Sequence, residues 1–191
     1  DSGGGYCVFN DIVVAGESLV ANGHIERYLV IDLDVHQGDG TASMLQGAAA
    51  AGGKYDHTFT FSMHGAKNFP MVKQRSSWDV ALEDGTNDET YLDILDKCLR
   101  HMLKNRSKSF RYDYVFYQAG VDVLAGDGLG RLALSMDGVR QRDALVSQFI
   151  THSSCPVSIS LGGGYAKGDH TPEVVATAHA QTIEMMSRED W

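Results

Sequence analysis

The sequence has few cysteines, a deficit of basic residues and no long apolar run, and each scarcity excludes a class of protein. Its 3 cysteines, Cys7, Cys98 and Cys155, are too few and too widely spaced for a disulfide framework or a paired-cysteine zinc site. Its net charge of -9 argues against non-specific nucleic-acid binding, which needs a basic face. No apolar segment reaches the length of a membrane span, and the first residues do not resemble a signal peptide. We therefore expect a protein of a reducing compartment, the cytoplasm or in a eukaryote the nucleus, with no nucleic-acid or membrane partner and with its oligomeric state left open.

The composition is that of one folded domain, because 43% of the 191 residues are hydrophobic and 21% are charged. Helices and strands are predicted to alternate, which indicates a mainly parallel α/β sheet flanked by helices. The predicted helices cover 11–21 with Asn10 or Asp11 as the cap, a short segment capped by Thr41, and 88–104, 136–150 and 172–186. The predicted strands cover 28–34, 57–62, 112–118 and 156–161, with a small-residue turn over 48–53 and a long loop over 64–85.

The segment from Val30 to Gly40 carries the first chemical signal. Side chains alternate along a strand, so Asp32, Asp34 and His36 are predicted to share one face. Burying two carboxylates and an imidazole together is costly unless something pairs with them. A zinc or iron(II) ion would do so, since Asp and His are ligands of both metals. The alternative is a strand that runs out of the core into a solvated polar turn.

Three loops are predicted to meet at one edge of the sheet, because ligands of parallel α/β proteins bind outside the carboxyl ends of the strands. The first loop carries the metal-type residues just described. The second, after the strand at 112–118, offers Asp122 and Asp127, and the third offers Tyr165 behind the glycines at 162–164. Two carboxylates and one imidazole would leave metal positions open for water and substrate. Two alternatives stay open: Asp122 as a brace of its own loop and Tyr165 as a packed aromatic residue.

These segments resemble the zinc-dependent histone deacetylase family, which includes acetoin-utilisation and acetylpolyamine amidohydrolase relatives. The matching motifs, in order, are SGGGYCVFND, IDLDVHQGDG, FSMHGAKNFP, YQAGVDVLAGDGLG and LGGGY, and their wording is most similar to the bacterial and class IV-like branch. The resemblance implies an arginase/deacetylase-like three-layer α/β/α fold. It also implies removal of acetyl or other acyl groups from lysine side chains or polyamines by a metal-activated water.

The resemblance assigns the metal ligands and one catalytic group. The family's three metal ligands correspond to Asp34, His36 and Asp127, holding zinc or, as the alternative, iron(II). Tyr165 corresponds to the tyrosine that hydrogen-bonds the developing oxyanion. Substrate-binding positions of the family correspond to Gly5, Tyr6, Phe69 and Gly163. Positions around a structural potassium ion correspond to Asp32, Asp34, His36 and Ser62.

One part of the family's machinery is expected to lie upstream of residue 1. Asp32 and Asp39 correspond to carboxylates that orient two tandem catalytic histidines, and that histidine pair precedes the SGGGY segment in the family. We therefore expect residues 1–191 to be a catalytic domain whose N-terminal portion is missing. Two alternatives remain: a deacetylase-like protein that binds metal or acyl ligand without turnover, and an arginase-type hydrolase, which would need ligands for a second metal.

Overall fold

Five parallel strands form one sheet in the part of the chain that the structure, a computed structural model, describes: residues 3–45, 53–105 and 112–187. The strands are β1 (Tyr28–Asp32), β2 (Thr58–Gly65), β3 (Trp78–Leu82), β4 (Tyr114–Gln118) and β5 (Val157–Ser160). The helices are α1 (Asp11–Ala21), α2 (Asp39–Met44), α3 (Asp88–Asn105), α4 (Met136–Ser153) and α5 (Pro172–Met186). The parallel sheet flanked by helices confirms the predicted α/β class.

The order of the strands creates a crevice beside the central strand. The sheet runs β3-β2-β1-β4-β5, so the chain moves outward from β1 in one direction and then restarts on its other side with β4. Such a reversal is a switch point, where the loops after two neighbouring strands separate and leave room for a ligand. The register pairs Asp32 at the end of β1 with Gln118 at the end of β4.

Two hydrophobic layers cover the two faces of the sheet. Alternation along β1 sends Tyr28 and Val30 into a cluster with Ile12 of α1, and Leu29 and Ile31 into a larger cluster on the opposite face. That larger cluster contains the buried side chains of α3, α4 and α5. The arrangement is the three-layer α/β/α architecture that was predicted.

The local signals set most element boundaries correctly. Asn10 caps α1, accepting a hydrogen bond from the Val13 amide at 3.0 Å. Pro172 occupies the first turn of α5, where its missing N–H costs nothing. The predicted turn over 48–53 lies outside the described residues except for Gly53. None of the described helices is long and apolar enough to cross a membrane.

Several boundary predictions were wrong. β2 ends at Gly65 and α4 at Ser153, each three residues after the predicted end, and β4 begins at Tyr114, two residues after the predicted start. Thr41 lies inside α2, which begins at Asp39 after Gly38, because the chain has already turned where the Asp39 amide donates to the Gln37 carbonyl at 2.8 Å. β1 ends at Asp32, two residues before the predicted end. The predicted loop over 64–85 contains β3, an edge strand whose side chains are mostly half-buried, so its sequence lacks a clear apolar alternation.

Candidate metal centre

Two aspartates and a histidine meet at the switch point. Asp34 and His36 follow β1, and Asp122 follows β4. The imidazole Nδ1 of His36 lies 3.1 Å from Oδ1 of Asp34 and 2.9 Å from Oδ2 of Asp122. The Val35 amide donates to the other oxygen of Asp122 at 2.9 Å, which ties the two loops together. One ligand atom from each of the three residues lies within 4.8 Å of the others, so the three can reach one ion.

The third member of this group is Asp122, whereas the resemblance to the family assigns Asp127 as the third ligand, and metal ligation by Asp127 stays a prediction. Oδ1 of Asp127 accepts the amides of Leu129 and Gly130 at 2.8 and 2.7 Å, and Oδ2 accepts the Tyr165 amide at 2.7 Å. Its carboxylate is therefore held by backbone N–H groups. Among the described residues, the group of potential ligands contains Asp122 and not Asp127.

The register of the sheet explains why Asp122 lies beside His36. Asp32 pairs with Gln118, and His36 and Asp122 each follow that pair by the same number of residues. Loops that leave neighbouring parallel strands in register bring such equally spaced side chains together. Asp127 comes later in its loop, after a turn in which the Leu124 amide bonds the Val121 carbonyl.

Glycines let the backbone approach the two carboxylates. The Gly163 amide donates to Oδ2 of Asp34 at 2.7 Å. A Cβ on Gly163 would lie 1.9 Å from Oδ2 of Asp122, and one on Gly120 would lie 2.1 Å from Oδ2 of Asp34. Any side chain at either position would collide with the carboxylates. The structure thus places Gly163 against the candidate metal ligands; its predicted contact with substrate stays a prediction.

The electrostatics of the group suit a cation. Burial raises the pKa of Asp122 to about 7, and the charge of Asp34 acts in the same direction. Burial also acts against ionisation of Asp34, but hydrogen bonds from His36 and Gly163 outweigh it and lower the pKa of that carboxyl. Burial acts to lower the pKa of His36, whereas its bonds to Asp122 and Asp34 prevail and raise it to about 10. The negative charge of the group therefore attracts a cation. Two carboxylates and one imidazole form a donor set that fits zinc or iron(II).

Tyr165 stands beside this group. Its ring centroid lies 6.0 Å from that of His36, with the rings nearly perpendicular at 83°. Burial, followed by the charges of Asp34 and Asp122, raises the pKa of Tyr165 to about 12. The phenol is consequently protonated at neutral pH and able to donate a hydrogen bond beside the metal position.

Aromatic side chains surround the approach to Tyr165. Gly5 and Tyr6, with φ of 55° and 66°, form a tight turn closed by hydrogen bonds between Gly4 and Cys7 at 3.0 and 2.9 Å. The Tyr6 ring is 6.0 Å from that of Tyr165. A Cβ on Gly5 would lie 3.8 Å from Cε1 of Phe69. The structure brings together the residues predicted for the two walls of a substrate channel; substrate binding itself stays a prediction.

The remaining predicted positions lie close by without a confirmed role. Oδ1 of Asp32 accepts the Asp34 amide at 3.2 Å, and burial together with the Asp34 charge raises its pKa well above the usual range. Ser62 pairs in register with Asp32, and its hydroxyl lies 2.9 Å from Nδ1 of His64. Asp39 is half-buried at the start of α2. The potassium site and the orienting role toward upstream histidines stay predictions.

A buried ion pair behind the site was missed by the sequence analysis. Arg142 of α4 donates to the Gly120 carbonyl at 2.5 Å and to Oδ1 of Asp143 at 2.9 Å. Asp143 also accepts the hydroxyls of Tyr117 and Thr182, both at 2.6 Å. The pair fixes the peptide that borders Asp34. The available signal was a charged residue in the apolar stripe of a helix, three residues after the buried Val139 and four before the buried Val146.

Fold and site together define a parallel α/β protein with an Asp–His–Asp group and a tyrosine at its switch point. The model of the histone deacetylase domain matches residues 1–182. The chain belongs to this family, as its motifs indicated. An uncharacterised protein from Picosynechococcus sp. is 42% identical over 168 residues, and histone deacetylase 2 of Arabidopsis thaliana is 32% identical over 192 residues, 99% of this chain.

Solved structures agree with the assignment of the fold. A homologue of histone deacetylases from Aquifex aeolicus superimposes over 97% of this chain with a TM-score of 0.74 at 26% identity. Acetylpolyamine aminohydrolase from Burkholderia pseudomallei superimposes over 96% of this chain with a TM-score of 0.73 at 19% identity, a likeness of fold. The chain spans about half the length of these proteins: 52% and 45% of the two sequence relatives, and 48% and 51% of the two structures.

Proposed function

We propose that the protein is a metal-dependent amide hydrolase that removes acetyl or other acyl groups from primary amines. The observation that carries this proposal is the convergence of Asp34, His36 and Asp122 within 4.8 Å, beside a protonated tyrosine and behind an aromatic rim. Family membership supports the same reaction class. The proposed metal is zinc, with iron(II) as the alternative, because both accept this donor set.

Each part of the site would contribute one effect. When bound, a divalent metal supplies a polarised acyl carbonyl and a water nucleophile at neutral pH. Tyr165 would donate its phenolic hydrogen to the carbonyl oxygen as negative charge develops there, and a lost donor of this kind typically costs about 100-fold to 1,000-fold in rate. Tyr6 and Phe69 would enclose the methylenes of the substrate and exclude water, which strengthens the electrostatic interactions inside.

The proposed substrates are acetylated lysine side chains or acetylated polyamines. Both present an acyl amide at the end of a flexible methylene chain, which suits aromatic side chains beside a metal. The net charge of -9 is compatible with a cationic substrate, since an acidic protein attracts cations.

An activity assay on the full gene product, loaded with zinc, tests the proposal. We expect amine release from an acetyl-lysine peptide or an acetylated polyamine. Tyr165→Phe should lose about 100-fold or more in rate at unchanged metal content. Tyr114→Phe, whose hydroxyl bonds only Ser158 at 2.7 Å among the hydrogen bonds described, is the matched control and should keep full activity.

Two results would overturn the proposal. Stoichiometric metal with no turnover of either substrate would indicate the alternative function, a deacetylase-like protein that binds without catalysis. Failure to bind zinc or iron(II) would show that the Asp–His–Asp group is a purely structural cluster.

A further inference from the structure

We propose that Gln37 and Lys73 are positioning residues that fix Phe69 in the wall of the substrate channel. Phe69 lies in the loop of residues 66–77 between β2 and β3, called the Phe69 loop below. The inference rests on the proposed function, because it assigns two side chains a part in placing a residue that would enclose the substrate.

The Phe69 loop is not held by backbone hydrogen bonds. No backbone group of residues 69–75, all of which the structure describes, bonds another backbone group. Such groups need side chains or water as partners. The Phe69 side chain is also 48% exposed, so packing alone holds it weakly. The position of Phe69 therefore depends on side chains that bind its loop.

Lys73 binds the backbone on both sides of Phe69. Its Nζ donates to the carbonyl of Asn68 at 2.5 Å and to the carbonyl of Pro70 at 2.7 Å. These residues precede and follow Phe69, so a single charged group holds both neighbouring carbonyls. Hydrogen bonds from a charged donor are stronger than those between neutral groups. Lys73 is half-buried, which reduces competition from water.

Gln37 fixes the residue that follows Lys73. Its Oε1 accepts the amide of Gln74 at 2.8 Å, and its Nε2 donates to the carbonyl of the same residue at 2.8 Å. A primary amide can bind both backbone groups because it carries an acceptor and a donor. Nε2 also donates to Oδ1 of Asp79 at 2.8 Å. Gln37 is only 3% exposed, so these contacts are not shared with solvent.

These contacts connect the Phe69 loop to the two loops of the metal centre. Gln37 directly follows His36, one of the candidate ligands. On the other side of Phe69, the Asn68 side chain donates to the carbonyl of Leu129 in the loop after β4 at 2.8 Å. The position of Phe69 is thus tied to the loops that carry the candidate metal ligands.

A double-mutant cycle on the full gene product, loaded with zinc, distinguishes positioning of Phe69 from a general structural effect. Lys73→Met keeps the stem of the side chain and removes the ammonium group. It should lower kcat/KM for an acetyl-lysine peptide or an acetylated polyamine by about tenfold, the scale of a lost apolar contact with substrate. In a Phe69→Ala background, the same substitution should cost less than about twofold, since no aromatic wall remains to be misplaced. Equal fold-losses in both backgrounds would overturn the proposal, because Lys73 would then act independently of Phe69.

Lys67 supplies a matched control from the same loop. Its side chain is 59% exposed, and its ammonium group lies 3.5 Å from the carboxylate of Glu83, which is 81% exposed. Lys67→Met removes the same charge from the surface of the loop, so kcat/KM should stay within about twofold of the unchanged protein. A loss equal to that of Lys73→Met would overturn the proposal, because it would trace the loss to the charge of the loop.

Gln37→Met tests the second anchor, and zinc affinity separates an effect on Phe69 from an effect on the neighbouring His36. Titration of the metal-free protein should give a zinc affinity within about twofold of the unchanged protein, while kcat/KM falls as it does in Lys73→Met. Weakened zinc binding would overturn the role of Gln37, because the residue would then act through a metal ligand. An unchanged kcat/KM would overturn it as well.

Fluorine NMR tests the anchors without turnover. With para-fluorophenylalanine at position 69, the fluorine signal of the metal-free protein should shift or broaden in Lys73→Met and in Gln37→Met, and it should stay unchanged in Lys67→Met. An unchanged signal in Lys73→Met would refute the proposal, whatever the activity. A changed signal in a protein that turns over neither substrate would instead refute the proposed function and leave the anchoring of Phe69 intact.

Discussion

Replacing Arg142 by methionine tests whether the buried ion pair of Arg142 and Asp143 stabilises the fold beneath the site. The side chains of Arg142 and Asp143 are both fully buried. Methionine keeps much of the apolar volume but removes the charge and the hydrogen bond to the Gly120 carbonyl. Asp143 would be left as a buried charge with only the hydroxyls of Tyr117 and Thr182. Breaking a buried pair in this way typically costs about 3–5 kcal/mol.

A second ion pair on the same helix supplies the control. Arg140 and Asp137 are joined on the surface of α4, where their side chains are 54% and 57% exposed. Exposed pairs contribute about 0–1 kcal/mol, so Arg140→Met should change stability by less than about 1 kcal/mol. The two substitutions are chemically identical and differ in burial.

Urea unfolding, followed by circular dichroism, measures the free energy of unfolding of both variants. Their midpoints can be compared when the free energy falls with the same slope against urea concentration. Arg142→Met/Asp143→Asn should be more stable than Arg142→Met alone, because asparagine removes the unpaired charge while still bonding the hydroxyls. If Arg142→Met loses no more stability than Arg140→Met, the buried pair does not hold the Gly120 peptide and the reasoning fails.

Three further predictions concern the rest of the chain. Gly163→Ala should lose its bound metal, because the new Cβ would lie 1.9 Å from the carboxylate of Asp122. Gly40→Ala, whose nearest contact would be 3.5 Å, is the control and should keep its metal. Elemental analysis measures the metal content of both variants, and full metal content in Gly163→Ala would contradict the site. Asn10→Ala should cost about 1–2 kcal/mol in thermal unfolding, since α1 loses its cap, and an unchanged midpoint would argue against that cap. Burial, with the Arg142 charge, lowers the pKa of His179, so the unfolded state binds the additional proton and stability should fall as the pH drops below about 6.5. His179→Gln should make that decline shallower, and an unchanged pH profile would be the contrary result.

The fold was largely predictable because its elements carry local signals. The apolar stripe of α3, the cap of α1 and the proline of α5 each depend on neighbouring residues, and the alternation of helices and strands then indicates a parallel sheet. β3 was not predicted, since an edge strand has only partly buried side chains and its segment WDVAL lacks a clear apolar pattern. The position of β3 depends on its pairing with β2, a tertiary contact that the sequence of β3 alone does not reveal.

The sequence predicts which loops form the site, but not every contact between their side chains. Asp34 and His36 stand out because polar residues directly follow an apolar strand. Asp122 and Asp127 occupy the same loop and are both buried, and the sequence pattern does not say which carboxylate lies beside His36. The register of β1 with β4 decides this, and register is a tertiary property. Arg142 interrupts the apolar stripe of α4, but no sequence motif marks its backbone partner, the Gly120 carbonyl.

Anomalous diffraction at the zinc edge, from crystals of the zinc-loaded protein, tests the central claim most directly. We predict one strong peak at the switch point, about 2.0–2.2 Å from ligand atoms of Asp34, His36 and a carboxylate of the loop after β4, either Asp122 or Asp127. No peak between these side chains, or a peak bound only by residues elsewhere in the chain, would contradict the proposed metal centre.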